Sequence, residues 1–396
     1  MASQKQNKTL YIDQEAISTL SMVKEGLLAP VTKLMNKQES NEVDKTKLYK
    51  NHTFPFSFIL APSGKKNEEV LKSLKSGEIV DLVNNGKKYG ELKTQEVFEI
   101  DPLERVKNIF ATTDTTHPGV HDTLKRLGKY AICGDYEIYF DDIKEVKNQI
   151  SQFKESIEAK SITCMMMAAK PFHRVHERLI RLELDKSDML VIFLLKPYKK
   201  DIMPYSLRYK TIDYFVKNYL PTNRVLIVPL ENTYIFAGNN EIILNSIVAK
   251  NFGCNKIVIG KNHAGLGMYY DKDGIKSVYD TFKGIDIDID ISNEYVYCNE
   301  CKTLVSVNTC PHGQHHHISY RSDSILELYK LGLLPPAVLV RKEISAIILS
   351  ELFPNRFKNL EKLYYDFMPF SGLLENHNEK DFYIELMKLY QTTSLT

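Results

Sequence analysis

Two histidines near the middle of the chain have types and spacing suited to phosphate chemistry. His173 and His176 lie three residues apart, after an apolar run at residues 162–169 and Pro171. The apolar run predicts a buried strand, and proline suits the first turn of a helix, where its missing N–H is not needed. Both imidazoles would then lie on one side of a helix N-terminus, where free N–H groups and the helix dipole favour an anion. The pattern predicts a phosphate site, with a pair of structural histidines as the alternative.

A second cluster of reactive side chains predicts a metal site. Two residues separate Cys298 from Cys301, and eight residues separate Cys301 from Cys310, which lies at the start of a histidine-rich stretch. Two thiolates at the first spacing fit one tetrahedral ion, and a third thiolate with one imidazole completes the shell. We predict a structural Zn²⁺ held by Cys298, Cys301, Cys310 and His315, with His312 as the alternative imidazole.

Length and composition restrict the classes of protein to consider. The 396 residues exceed one ordinary domain, and 43% hydrophobic with 26% charged residues is typical of a soluble globular protein. A formal net charge of +2, without a long Lys/Arg block, argues against nucleic acid or an anionic membrane as partner. No apolar run approaches the roughly 18 residues of a membrane helix, and the polar N-terminus lacks a signal-peptide pattern. Cysteines in metal-type spacing predict a reducing, cytoplasmic location.

The elements that would position the histidines alternate between strand and helix patterns. Apolar runs of strand length at residues 189–195, 225–228 and 256–260 are separated by helical stretches. This rhythm predicts a parallel sheet covered by helices, and ligands bind at the carboxyl ends of the strands in such sheets. The histidine pair and residues 260–265 both begin at such an end. We therefore predict that these two segments face one site.

The regions on either side of this alternating pattern have different character. Residues 54–99 contain short strand patterns and a tight turn at residues 84–86, which predict a small β-rich module. The end of the chain contains helical patterns, and a charged helical connector at residues 143–160 marks the first boundary. The predicted organisation is an N-terminal domain at 1–155, an α/β domain at 156–325 with the Cys/His knuckle at 298–317, and an α-helical C-terminal region at 326–396.

Five segments together carry a family resemblance. Residues 112–120 match T-x-D-x-x-H-P-G-V, residues 171–177 match P-x-H-x-x-H-E, and residues 260–267 resemble G-R-D-H-A-G-x-G. Residues 234–254 and 332–343 are similar to two further motifs. In this order the segments resemble the ATP-sulfurylase (sulfate adenylyltransferase) family, and the Cys/His cluster resembles that of its zinc-bearing members.

The resemblance implies a fold, a reaction and a set of binding residues. The N-terminal part would be a PUA-like domain, and the middle a Rossmann-like nucleotidylyltransferase domain. The enzyme, a homo-oligomer like many members, would transfer AMP from ATP, accompanied by Mg²⁺, to sulfate. His173 and His176 would contact the α- and β-phosphates. The nucleotide side would be lined by Lys261, His263, Ala264 and Gly265.

The acceptor side of the site departs from the family pattern. Where the family has Gln-Thr-Arg-Asn before the proline, residues 167–170 read Met-Ala-Ala-Lys. Loss of a guanidinium that binds a dianion removes a charge-assisted contact, at a cost of roughly 2–5 kcal/mol. Cationic replacements would come from Lys170, Lys261 and Arg321. Met167 and Ala169 would form the rest of the oxyanion pocket.

Three hypotheses follow from this combination. The first is a divergent sulfate adenylyltransferase, which the resemblance over most of the chain favours. The second is a nucleotidylyltransferase of the same fold with another, less charged acceptor, which the lost sulfate-binding side chains favour. The third is a non-catalytic nucleotide-binding relative, and the retained histidines argue against it. The first is the function that we predict.

Overall fold

The computed structural model of this protein describes residues 7–198, 201–260, 282–368 and 377–390. The chain divides into two compact units. The first unit comprises Met1–Met166, Lys196–Tyr198 and Val228–Ser292, and the second comprises Met167–Leu195, Lys199–Ile227 and Asn293–Thr396. The three-domain organisation expected from the sequence stays a prediction.

A five-stranded sheet forms the N-terminal part of the first unit, in the order β1-β5-β6-β7-β4. The first seven strands are β1 Lys8–Tyr11, β2 Leu48–Tyr49, β3 His52–Thr53, β4 Leu60–Pro62, β5 Ile79–Asn84, β6 Lys87–Glu99 and β7 Leu127–Ile138. β5 and β6 form the predicted hairpin, and the left-handed φ values of Asn85 (47°) and Gly86 (76°) allow its tight turn. The predicted β-rich module is confirmed.

Six helices accompany this sheet along the chain. They are α1 Gln14–Lys24, α2 Lys37–Thr46, α3 Lys65–Ser73, α4 Pro102–Phe110, α5 Pro118–Arg126 and α6 Asp142–Ser156. Four of them, α1, α2, α4 and α5, begin at a side-chain cap. The motif segment at residues 112–120 enters a helix at Pro118. His117 precedes that helix and its Nδ1 accepts the Gly119 N–H at 3.1 Å, while Pro118 occupies the position where no N–H is required.

A second five-stranded sheet has the order β10-β9-β8-β11-β12. Its strands are β8 Ile162–Met167, β9 Met189–Pro197, β10 Val225–Asn232, β11 Lys256–Gly260 and β12 Asp288–Ser292. β11 pairs in parallel with β8 and with β12, so that Ile257 lies opposite both Cys164 and Ile289. The helices α7 Arg174–Leu184, α8 Tyr205–Tyr219 and α9 Glu241–Asn251 alternate with the strands. The predicted α/β architecture with a parallel sheet is confirmed.

The C-terminal part of the second unit contains a small sheet followed by helices. Antiparallel strands β13 Tyr295–Cys298, β14 Thr303–Ser306 and β15 His317–Ser319 carry the Cys/His segment, in the order β14-β13-β15. The helices that follow are α10 Ser322–Lys330, α11 Lys342–Leu352, α12 Leu360–Phe367 and α13 Glu379–Tyr390. Ile344, Ala346 and Ile348 of α11 are fully buried. In the part of the chain that the structure describes, no helix is both long enough and apolar enough to cross a bilayer.

Candidate functional site

The histidine pair lies where β8 leads, through a short turn, into α7. His173 is the residue before the helix and His176 belongs to its first turn, because α7 begins at Arg174. The prediction that Pro171 occupies the first helical turn is therefore wrong. Ala169, with φ of 49°, turns the chain ahead of the proline. The two imidazoles nevertheless meet, since their ring centroids are 3.7 Å apart and stacked.

Hydrogen bonding and burial determine the protonation of the two imidazoles. The backbone N–H of His173 donates to Nδ1 of His176 at 3.1 Å, which assigns the His176 proton to Nε2. Desolvation lowers the pKa of His176 to about 4. Desolvation, with a further contribution from His176, also holds the pKa of His173 well below its usual range. Both rings are therefore neutral near pH 7, and each can donate one N–H to an anion.

One polar atom of the pair lacks a partner. Nδ1 of His173 is buried, and no described residue hydrogen-bonds to it. A buried polar atom without a partner is costly, so such atoms in native structures call for an explanation. Here the atom lies beside the N-terminus of an eleven-residue helix, whose N–H groups also favour an anion. A bound phosphate oxygen would accept hydrogen bonds from Nδ1 of His173 and from these helix N–H groups.

A charged brace holds the start of α7. Arg341 contacts the carboxylate of Glu177 through Nε, at 2.9 Å from each oxygen, and through Nη2 at 2.8 Å. Arg174 contacts the same carboxylate at 3.2 Å and donates from Nε to the Ala337 carbonyl at 3.1 Å. The Arg174 N–H bonds the Leu339 carbonyl at 3.0 Å. Two of the five motif segments, at 171–177 and 332–343, are thereby joined in one unit.

Aromatic rings enclose the histidines. Phe172 stacks on His176 with centroids 5.5 Å apart, and also packs on Phe215 at 5.3 Å. The ring of Tyr320 lies 5.4 Å from that of His173, and its hydroxyl donates to the Val338 carbonyl at 2.6 Å. Sequence reasoning did not assign a role to Tyr320.

Residues 167–170, predicted to lie beside the oxyanion, are mostly apolar, and the one cation among them is paired with a carboxylate. Met167 and Ala169 are buried, with 4% and 2% of their surface exposed. Lys170 forms an ion pair with Asp201. The Lys170 hydrogen bond is also a cause of the lowered pKa of Asp201. The ammonium of Lys170 is thus already engaged by a carboxylate.

A buried arginine that the sequence reasoning missed supports this turn. Arg208 of α8 is completely buried and donates to the carbonyls of Ala168 at 2.7 Å, Leu195 at 2.9 Å and Met203 at 3.0 Å. Its guanidinium therefore fixes backbone segments around the turn at residues 167–170. A lone arginine in an amphipathic helix gives no sequence signal for such a role.

The remaining predicted site residues divide into two groups. Arg321 is exposed and immediately precedes α10, with no described contact to the histidine pair. Four predicted nucleotide-side residues fall outside the described part of the chain: Lys261, His263, Ala264 and Gly265. The expectation that this segment faces the histidine pair stays a prediction.

The Cys/His segment forms a compact donor cluster. Cys298, Cys301, Cys310 and His312 place one ligand atom each within 4.8 Å of one another, and could hold a metal ion. Nδ1 of His312 lies 3.4, 3.2 and 3.7 Å from the sulfurs of Cys298, Cys301 and Cys310. The structure brings His312 to the thiols. His315, the predicted fourth ligand, is exposed and packs against His316 at 4.1 Å.

Comparison with known proteins places these features in a family context. The family model for ATP-sulfurylase matches residues 141–351, and the model for a PUA-like domain matches residues 1–140. The sulfate adenylyltransferase of Carboxydothermus hydrogenoformans is 26% identical over 358 residues, covering 86% of this chain and 90% of its own. That of Staphylothermus marinus is 28% identical over 293 residues, covering 71% and 75%.

A solved structure supports the fold. The chain described as a hexameric APS kinase from Thiobacillus denitrificans aligns with a TM-score of 0.61 at 16% identity. The alignment covers 87% of this chain and 63% of that chain. At this identity the likeness concerns the fold alone.

Proposed function

The chain belongs to the ATP-sulfurylase family, and we propose that this nucleotidyltransferase transfers AMP from ATP to sulfate, giving adenosine 5′-phosphosulfate and pyrophosphate. The observation that carries the proposal is the neutral, stacked pair of His173 and His176 at the start of α7, with one buried nitrogen unpartnered. Several N–H donors converge at this helix N-terminus. A phosphate chain offers them more acceptor oxygens than a single carboxylate does, and therefore suits the arrangement better.

The proposed reaction is a single displacement at the α-phosphorus. A sulfate oxygen forms the new bond to phosphorus while the bond to the bridging oxygen breaks and pyrophosphate leaves. Nε2–H of His176, the N–H groups of α7 and His173 would stabilise negative charge on the phosphate oxygens. Mg²⁺ bound with ATP would offset further phosphate charge. The Arg341–Glu177 pair would position this helix N-terminus.

A second candidate differs only in the acceptor. Met167 and Ala169 are buried and apolar, and the ammonium of Lys170 is paired with Asp201, so the side chains of residues 167–170 offer no unpaired cation to a dianion. A dianion needs donors to replace its hydration. This observation favours a nucleotidyltransferase of the same fold with a less charged acceptor.

Pyrophosphate release from ATP separates the two candidates. The assay compares sulfate with a panel of other oxyanions and phosphorylated acceptors, using His176→Ala as the inactive reference. Sulfate-dependent release supports the first candidate. Release only with another acceptor supports the second, and ATP binding without release with any acceptor would contradict both.

For the donor cluster we propose a structural Zn²⁺ held by Cys298, Cys301, Cys310 and His312. Three thiolates and one imidazole are a donor set that Zn²⁺ favours, and they fill a tetrahedral shell. The ion would then join Cys298, at the end of β13, to Cys301 and to the segment before β15. Its shell would have no open position for catalysis.

Three further expectations accompany the proposal. Lys261, His263, Ala264 and Gly265 would line the nucleotide, as the family resemblance implies. Homo-oligomerisation of this chain, which the family resemblance implies, and its cytoplasmic location also remain predictions. Light scattering of the purified chain tests the oligomeric state.

A further inference from the structure

An open cleft lies on the face of α7 that bears its arginines. It has a volume of about 440 Å³ and lies between this helix, the knuckle strands and residues 337–338. Arg174, Arg178 and Arg181 line it from the helix, and Lys302 lines it from the knuckle. The volume falls in the range typical of sites for small molecules.

The helical spacing turns the three arginines into a ladder. Positions 174, 178 and 181 are separated by four and three residues, so their side chains emerge on one side of α7. At 1.5 Å per residue the ladder is roughly 10 Å long. A row of guanidinium groups of this length matches several linked anionic groups better than a single one.

The cleft retains a large excess of positive charge. Four cationic side chains and one acid, Glu177, line it, leaving a formal charge of +3. Glu177 is already held by Arg341 from outside the lining. Arg178 and Lys302 are exposed, and no described residue forms an ion pair or hydrogen bond with either. Since the whole chain carries only +2, this cleft is a local concentration of charge that attracts anions.

Arg181 is oriented by a neutral acceptor, whereas Arg174 contacts both a carbonyl and the carboxylate of Glu177. Arg181 donates from Nη2 to the Tyr219 carbonyl at 2.8 Å, and Arg174 donates from Nε to the Ala337 carbonyl at 3.1 Å. The carbonyl of Tyr219 fixes the guanidinium of Arg181 without cancelling its charge. Guanidinium forks match phosphate oxygens in geometry and charge. Half-buried Tyr297 and Tyr320 add two aromatic rings to the lining.

We propose that this cleft is a second anion site, which binds a small molecule bearing a chain of phosphates. The site is distinct from the histidine pair, because its cations come from the outer face of α7 and from the knuckle. It depends neither on sulfate as acceptor nor on turnover. A bound polyphosphate would connect α7 to the knuckle through Arg178 and Lys302.

Calorimetric titration with inorganic tripolyphosphate tests the proposal. The titration compares the unaltered chain with Arg178→Ala/Lys302→Ala, a double variant that removes the two unpaired cations. The matched control is Lys330→Ala/Lys362→Ala, which removes two exposed charges elsewhere in the same unit. We expect saturable binding that weakens at least about tenfold in the first double variant and changes less than about twofold in the control.

A third variant separates the cleft from the proposed nucleotide site. Tripolyphosphate binding should persist in His176→Ala, even though ATP binding weakens there. The proposal is overturned if the unaltered chain shows no saturable binding, or if both double variants weaken it equally. It is also overturned if His176→Ala abolishes binding while Arg178→Ala/Lys302→Ala leaves it intact, because the ligand then occupies the nucleotide site. Thermal unfolding of each variant verifies folding.

Discussion

Arg341 forms a two-point ion pair with Glu177, a residue 164 positions earlier in the chain. The guanidinium also packs over the ring of Tyr219, 3.9 Å from its centroid. Glu177 lies one residue after His176 and keeps only 6% of its side chain exposed. The pair therefore fixes the first turn of α7, and with it the direction in which the two imidazoles point.

Removing Arg341 should destabilise the second unit. Arg341→Met leaves a buried carboxylate with Arg174 alone, and we expect a loss of about 3 kcal/mol in the free energy of unfolding. Lys330→Met, which breaks the exposed pair with Glu327, should cost less than about 1 kcal/mol. Urea unfolding followed by circular dichroism measures both. Equal effects in the two variants would contradict a buried brace, and Glu177→Gln/Arg341→Met should recover part of the loss.

His176→Ala should weaken ATP binding at least about tenfold, since a donor to phosphate is removed from a desolvated site. The ring should also make stability depend on pH. The pKa of His176 is lowered to about 4 in the folded chain. The unfolded chain therefore binds a proton on this ring near pH 6.5, whereas the folded chain does not. Stability is therefore lost as pH falls from about 6.5 to 4, and the variant should lose less. Unchanged ATP affinity by calorimetry would place the phosphates elsewhere.

Glu241, at the first position of α9, should produce the opposite pH dependence. Desolvation raises its pKa to about 7, against a hydrogen bond with Asn245 that lowers it. Between pH 4.5 and 7 the unfolded chain releases this proton while the folded chain keeps it, so stability decreases as pH rises, by up to about 3 kcal/mol. Glu241→Gln should flatten this part of the curve. Identical curves for both proteins would refute the raised pKa.

The donor cluster distinguishes two neighbouring histidines. His312→Ala should lose bound zinc, because His312 Nδ1 lies beside all three sulfurs. His315→Ala is a matched control with the same chemical change, and it should retain about one zinc per chain. Elemental analysis of the purified variants gives the answer. Zinc loss only from the His315 variant would restore the ligand set expected from the sequence.

Sulfate kinetics test the role of Lys170. If sulfate binds beside the turn at residues 167–170, Lys170→Ala should raise its KM by about tenfold and leave the KM for ATP unchanged. Asp201→Asn should lower the KM for sulfate, because it removes a competing carboxylate and a source of repulsion. Pyrophosphate release at varied sulfate measures both constants. A KM for sulfate insensitive to both changes would exclude this turn as the acceptor site.

The parts of the fold visible in the sequence are those with local causes. The buried runs at 189–195 and 256–260 became strands, because a short continuous apolar segment suits a parallel sheet that is covered on both faces. The hairpin turn at Asn85 and Gly86 was visible because few residues accept a left-handed backbone. The helix boundary at His173 was missed by a few residues, since the hydrogen bond that His176 Nδ1 accepts from the His173 N–H depends on side-chain geometry.

By itself, the sequence determined the α/β architecture, the histidine pair, the three thiols of the donor cluster and the loss of the acceptor side chains. Only the tertiary structure decided that His312 reaches the thiols, that Lys170 is neutralised by Asp201, and that Arg341 braces Glu177. Composition and periodicity predict structure from residues that are close together in the sequence. Ion pairs and ligand sets join residues that are distant in sequence, and folding alone brings those charges within bonding distance.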